Sequence, residues 1–143
     1  MLSLSGSVIV VTNEDLYQLA HERGHAVYCI PLTTCRSFTV EDQGCHIALA
    51  TGLSAIQEKE CLAHELGHCE YGGFYNRYSQ FDIRAKAERR ADKWSFLKLV
   101  PPGEIKEAAK RGLTEVWELA EAFDVSCEYM HRALGYYRQL AIL

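Results

Sequence analysis

The chain has 143 residues, of which 48% are hydrophobic and 24% charged, with a net charge of -4. That is the size and balance of one folded domain, able to bury roughly two-thirds of its unfolded surface, and it excludes a disordered chain. No apolar run approaches the ~18 to 20 residues that cross a bilayer, and the first residues lack the basic start and apolar core of a signal peptide, so a cytoplasmic location is expected.

In chain order, Ser7-Val8-Ile9-Val10-Val11 reads as a short strand. Thr12 and Asp15 resemble a capping box, with Asp in place of Glu, opening a helix to about Arg23, and Gly24 is placed to end it. Residues 25–32, 37–40 and 45–50 read as strands, the last two joined at the Asp42-Gln43-Gly44 turn. After Thr51 the pattern is helical. Ser54 and Gln57 form a second capping box, and Gly72-Gly73 closes the helix it starts. Asp82 is placed to cap a helix to about Leu99, where Pro101-Pro102 forbids continuation. Further helices are expected over 104–111, 115–123 and 127–140. The expected fold is therefore α+β: a small, antiparallel-type sheet on a helical core, then a C-terminal helical pair. No linker or repeat divides the chain, so residues 1–143 are expected to form a single domain. Within it, 1–50 supply a helix and the sheet, 54–100 the metal-site helices and 104–143 the C-terminal helices.

Charge is uneven. Residues 84–111 hold 9 Lys/Arg against 4 Asp/Glu, whereas 1–83 hold 4 against 10. Acids are interspersed through the basic stretch, so it reads as a solvated helix face rather than a nucleic-acid surface. The six cysteines, Cys29, Cys35, Cys45, Cys61, Cys69 and Cys127, contain no Cys-x-x-Cys pair. Without a secretory signal they are expected to be reduced and to pack as small hydrophobes.

The chemistry lies in His64-Glu65-Leu66-Gly67-His68. Four residues at 3.6 per turn put both imidazoles on one helix face, about one turn apart, able to grip one ion. Catalytic zinc takes three protein ligands plus a water, and Glu65, beside the first ligand, is placed to accept that water's proton. On the next helix, Glu88 and Asp92 are again four apart on one face, after enough chain for an antiparallel return. Glu88 is the candidate third ligand. Asp92 is the candidate partner for the spare ring nitrogen of His64, fixing its tautomer. The competing reading pairs both carboxylates with Arg84, Arg89 or Lys93 on a solvated face.

Residues 47–101 resemble the metallopeptidases grouped under ImmA and IrrE. The matching pieces are "HIALATGLS", "IQEKECLAHELGH" and "AERRADKWSFLKLVP". The resemblance implies a gluzincin-like zinc peptidase fold, with Glu88 as third ligand and the Ala91-Asp92, Trp94-Phe96 and Pro101 landmarks in place. It also implies a bacterial phage or mobile-element setting and cleavage of a helix-turn-helix transcriptional repressor. Manganese and iron also suit two histidines and a carboxylate. A rival reading is a non-proteolytic regulator that binds a repressor through a metallopeptidase-like fold; the intact Glu65 speaks against it.

Other residues are weighed and left without catalytic roles. The strand 45–50 either offers its edge to an extended substrate or is an interior strand. Tyr71, Tyr75, Tyr78 and Arg77 are oxyanion-donor candidates, none of them assigned. Cys61 falls on the ligand side of the helix, but a fourth protein ligand would leave no place for water, so packing is expected. His21, His25, His46 and His131 lack ligand spacing among themselves. Residues 113–137 have the rhythm of a helix-turn-helix, yet Arg132 and Arg138 are its second helix's only strong cations, so a core-closing or partner-docking pair is expected. Nucleic acid and membrane are not expected partners, and the sequence leaves the oligomeric state open.

Overall fold

The computed structural model describes residues 8–72 and 78–143. They fall into two compact units: Thr12–Ser95, and Phe96–Leu143 with the residues up to Val11.

The first unit begins with α1 (Asn13–Glu22), whose expected capping box is present: Thr12 Oγ1 accepts from the Asp15 amide and the Asp15 carboxylate accepts from the Thr12 amide. Strands β1 (Ala26–Ile30), β2 (Ser37–Glu41) and β3 (Cys45–Ala50) follow. They form one sheet in the order β1-β3-β2. The tight Asp42–Gly44 turn makes β2 an antiparallel neighbour of β3, as expected, whereas β1 lies on the other edge and pairs parallel. The α+β class holds, and the sheet is mixed rather than wholly antiparallel. With both edges taken, β3 is an interior strand; Cys45, Ile47 and Leu49 are buried on one face, and on the other Ala48 is buried between the exposed Tyr28 and Phe38 of its neighbours. The strand expected over 7–11 is absent at residues 8–11, and Ser7 lies outside the described residues. An apolar run becomes a strand only when a neighbour takes its hydrogen bonds.

Helix α2 (Ala55–Tyr71) starts at the Ser54–Gln57 capping box and stops at Gly72, whose φ of 64° is the left-handed cap that glycine adopts without a Cβ penalty. Gly73, the other half of the expected stop, lies outside the described residues. Helix α2 packs against α1, β2 and β3, burying Leu62, Ala63 and Leu66 with Leu16, Ile47 and Leu49. Helix α3 (Phe81–Leu99) begins one residue before the expected cap. The Arg84 amide bonds the Gln80 carbonyl, so Asp82 sits inside the first turn, where its charge favours the amino end of the helix instead of capping it.

The second unit contains α4 (Pro102–Lys110), α5 (Val116–Phe123) and α6 (Cys127–Gln139). Helix α4 starts earlier than expected because Pro102, which cannot continue a helix, is well suited to the first turn of one. Helices α5 and α6 pack together around Leu119, Ala120, Phe123, Met130, Ala133 and Leu134, so the pair closes the core of this unit. Arg132 lies with its guanidinium 5.5 Å from the Phe96 ring centre. Tyr137 is fully buried and donates to the Val100 carbonyl at 2.9 Å. Tyr137→Phe should therefore leave a buried carbonyl unpaired and lower the unfolding free energy by about 1–3 kcal/mol, read as a lower urea midpoint at unchanged slope.

Candidate metal centre

All the candidate site residues lie in the Thr12–Ser95 unit. The close approach of α2 to α3 depends on Gly67. A Cβ built there would meet Ala91 backbone, 2.6 Å from its carbonyl oxygen and 2.8 Å from its Cα. Ala63, Ala87 and Ala91 are likewise buried, so short side chains let the two helices come together. His64 and His68 then face Glu88 and Asp92.

The geometry is convergent. Nε2 of His64 lies 3.0 Å from Oε1 of Glu88, and Nε2 of His68 lies 2.8 Å from Oε2 of the same carboxylate. Nδ1 of His64 is 2.9 Å from Oδ1 of Asp92. The two rings meet edge to face with centres 5.0 Å apart, and one ligand atom from each of His64, His68 and Glu88 lies within 4.8 Å of the other two. Burial pulls the His64 imidazole down, but the hydrogen-bonded carboxylates of Asp92 and Glu88, with the charge of Glu65, outweigh it and push the pKa up to about 10. A cation placed among these groups satisfies the same carboxylates. Two imidazole nitrogens and one carboxylate oxygen are also the donor set of three-ligand catalytic zinc sites, so the residues fit a divalent metal.

Glu65 points from α2 to the sheet, only 5% exposed. Its Oε2 accepts from Ser37 Oγ at 2.7 Å and its Oε1 from Thr39 Oγ1 at 2.5 Å. Sequence reasoning missed both hydroxyls. The available signal was the inverted alternation of β2, where Ser37 and Thr39 take the covered positions and Phe38 and Val40 the exposed ones. Thr39→Val keeps the shape and removes a donor to a buried charge. It should cost about 1.5–3 kcal/mol of stability in urea unfolding while metal content stays at the wild-type level.

Cys61 is half-buried beside Ser37 and Arg36, and burial pushes its thiol up. It stays outside the His64–His68–Glu88 group, in line with a packing role. Tyr71 and Tyr78 are exposed, and Tyr75 and Arg77 lie outside the described residues. His46 stacks on Tyr28 and bonds the Tyr28 hydroxyl and the Asp42 carbonyl, a structural histidine.

The cysteines depart from expectation at one pair: Cys45 and Cys69 form a disulfide, with Cα atoms 5.8 Å apart, whereas Cys29, Cys35, Cys61 and Cys127 are free. Their 24-residue separation hides that the start of β3 lies against the last turn of α2.

The chain matches a family model described as Peptidase_M78, IrrE N-terminal-like domain, over residues 32–134. No curated protein matches it.

Proposed function

The chain belongs to the Peptidase_M78 family, of the IrrE N-terminal-like kind, and we propose that it is a zinc-dependent endopeptidase. The observation that carries this reading is the single carboxylate of Glu88 reaching Nε2 of both His64 and His68, with Glu65 buried on the same helix. His64, His68 and Glu88 hold the metal. Asp92 keeps the His64 ring in orientation through Nδ1.

When bound, zinc supplies Lewis acidity, lowering the pKa of a water toward 7 and drawing charge from a peptide carbonyl. Glu65 accepts the proton of the attacking water and passes it to the leaving amine. The hydroxyls of Ser37 and Thr39 hold its carboxylate in one orientation while it does so. Because β3 is interior, an extended substrate pairs instead with β2, the edge strand whose covered residues hold Glu65.

The resemblance of residues 47–101 to the ImmA and IrrE metallopeptidases supports a helix-turn-helix repressor as the substrate. No helix among the described residues is long and apolar enough to cross a membrane. The test is to incubate zinc-loaded protein with a proteome extract and map new peptide N-termini by mass spectrometry. New termini that vanish with a chelator, concentrated in a repressor, are expected. Stable binding of a repressor without any new terminus would favour the regulator that binds and does not cut.

A further inference from the structure

Beyond the site on α2 and α3, a second group of metal donors converges at the last turn of α2. One ligand atom from each of His25, Cys45 and Cys69 lies within 4.8 Å of the other two. They come from three places in the chain: the residue before β1, the first residue of β3 and the last turn of α2. We propose that, once its disulfide is reduced, this cluster is a second zinc site with two thiolates and one imidazole as protein ligands.

Three observations carry the inference. The donors are the types that zinc prefers, thiolate and imidazole, and each is held by regular structure or next to it. Cys45 is buried and the other two are half-buried, so the position is shielded but reachable. His25 also has a carboxylate partner: Nε2 lies 2.9 Å from Oε2 of Glu70, which leaves Nδ1 as the nitrogen for a metal. That is the arrangement that fixes the ring of a ligating histidine, and Asp92 repeats it on His64. The other Glu70 oxygen takes Arg23 Nη1, so Glu70 is engaged as a support rather than as a fourth ligand. The fourth coordination position therefore belongs to water or an incoming group.

The Cys45–Cys69 bond and the metal exclude each other. A dithiol reductant opens the bond by supplying two electrons and two protons, leaving two thiols and closing its own disulfide. Zinc then takes both sulfurs as thiolates and two protons leave to solvent. Either link, sulfur to sulfur or sulfur to zinc, ties the last turn of α2 to β3, one residue beyond His68. Zinc occupancy at this cluster thus follows the thiol redox state.

Cobalt(II) substitution tests this whether or not the site on α2 and α3 is loaded, because only thiolate ligands give an intense sulfur-to-cobalt charge-transfer band in the near ultraviolet. The full chain is reduced with a dithiol, freed of it by gel filtration under nitrogen, and titrated with cobalt beside the untreated oxidised protein. The band is expected in the reduced protein, absent in the oxidised one and abolished when Cys45→Ser and Cys69→Ser are combined, and His25→Ala should weaken cobalt affinity at least tenfold. Zinc content should be higher by about one ion per chain in the reduced state. No band in reduced wild type would overturn the proposal, as would a band that survives the combined Cys45→Ser and Cys69→Ser changes or an affinity unmoved by His25→Ala. The comparison of reduced with oxidised wild type needs no variant to fold.

Discussion

Glu65→Gln should lower peptide hydrolysis by about 10²–10⁴-fold while leaving the metal content of the protein unchanged. The amide has the shape of the carboxylate but cannot take a proton from water at neutral pH. The fold tolerates it: the amide oxygen accepts from one of the Ser37 and Thr39 hydroxyls, and the amide nitrogen donates to the other, which is free to rotate. The metal stays because its candidate ligands are His64, His68 and Glu88, which the change does not touch. His64→Ala should instead lose metal and cleavage together. The check is the rate of new N-terminus formation beside metal analysis of the same samples. A Glu65→Gln protein that cuts like wild type would remove Glu65 from the chemistry.

The second large effect is expected at a residue with no side chain. Gly67→Ala places a methyl group 2.6 Å from the Ala91 carbonyl oxygen and 2.8 Å from its Cα. Backbone cannot swing aside as a side chain does, so α2 and α3 must separate. Alanine favours the helix over glycine by about 1 kcal/mol, and this offsets only part of an overpacking cost of about 1–3 kcal/mol or more. Glu88 and Asp92 flank Ala91 on α3, so any separation withdraws both carboxylates from His64 and His68 at once. Metal affinity should fall by about 10- to 100-fold, the range seen when the support of a ligating histidine is lost. Competition against a chelator of known affinity measures it, and wild-type affinity in Gly67→Ala would contradict the account of how the site is assembled.

The parts of this molecule that a sequence can announce are those whose signal is local. The His64–His68 spacing, the Glu88–Asp92 spacing and the caps at Thr12 and Ser54 each lie within one helical turn, and each fits the helix that the structure shows. The mixed sheet is harder to read, because strand periodicity shows which residues face the core but not which neighbour a strand chooses. The Val8–Val11 stretch fails for the same reason: four apolar residues invite a strand, yet no strand among the described residues pairs with it. Least legible are contacts between distant elements. Nothing in the spacing of His25, Cys45 and Cys69 reveals that they meet, nor that Ser37 and Thr39 reach Glu65 across 28 and 26 residues.

The assignment of His64, His68 and Glu88 as metal ligands is tested by metal content per chain, wild type beside Glu88→Ala, both purified in the oxidised state and offered zinc. About one tightly held ion is expected in wild type and its loss from Glu88→Ala, with far-ultraviolet circular dichroism unchanged. Equal metal in both proteins, or none in either, would contradict the assignment.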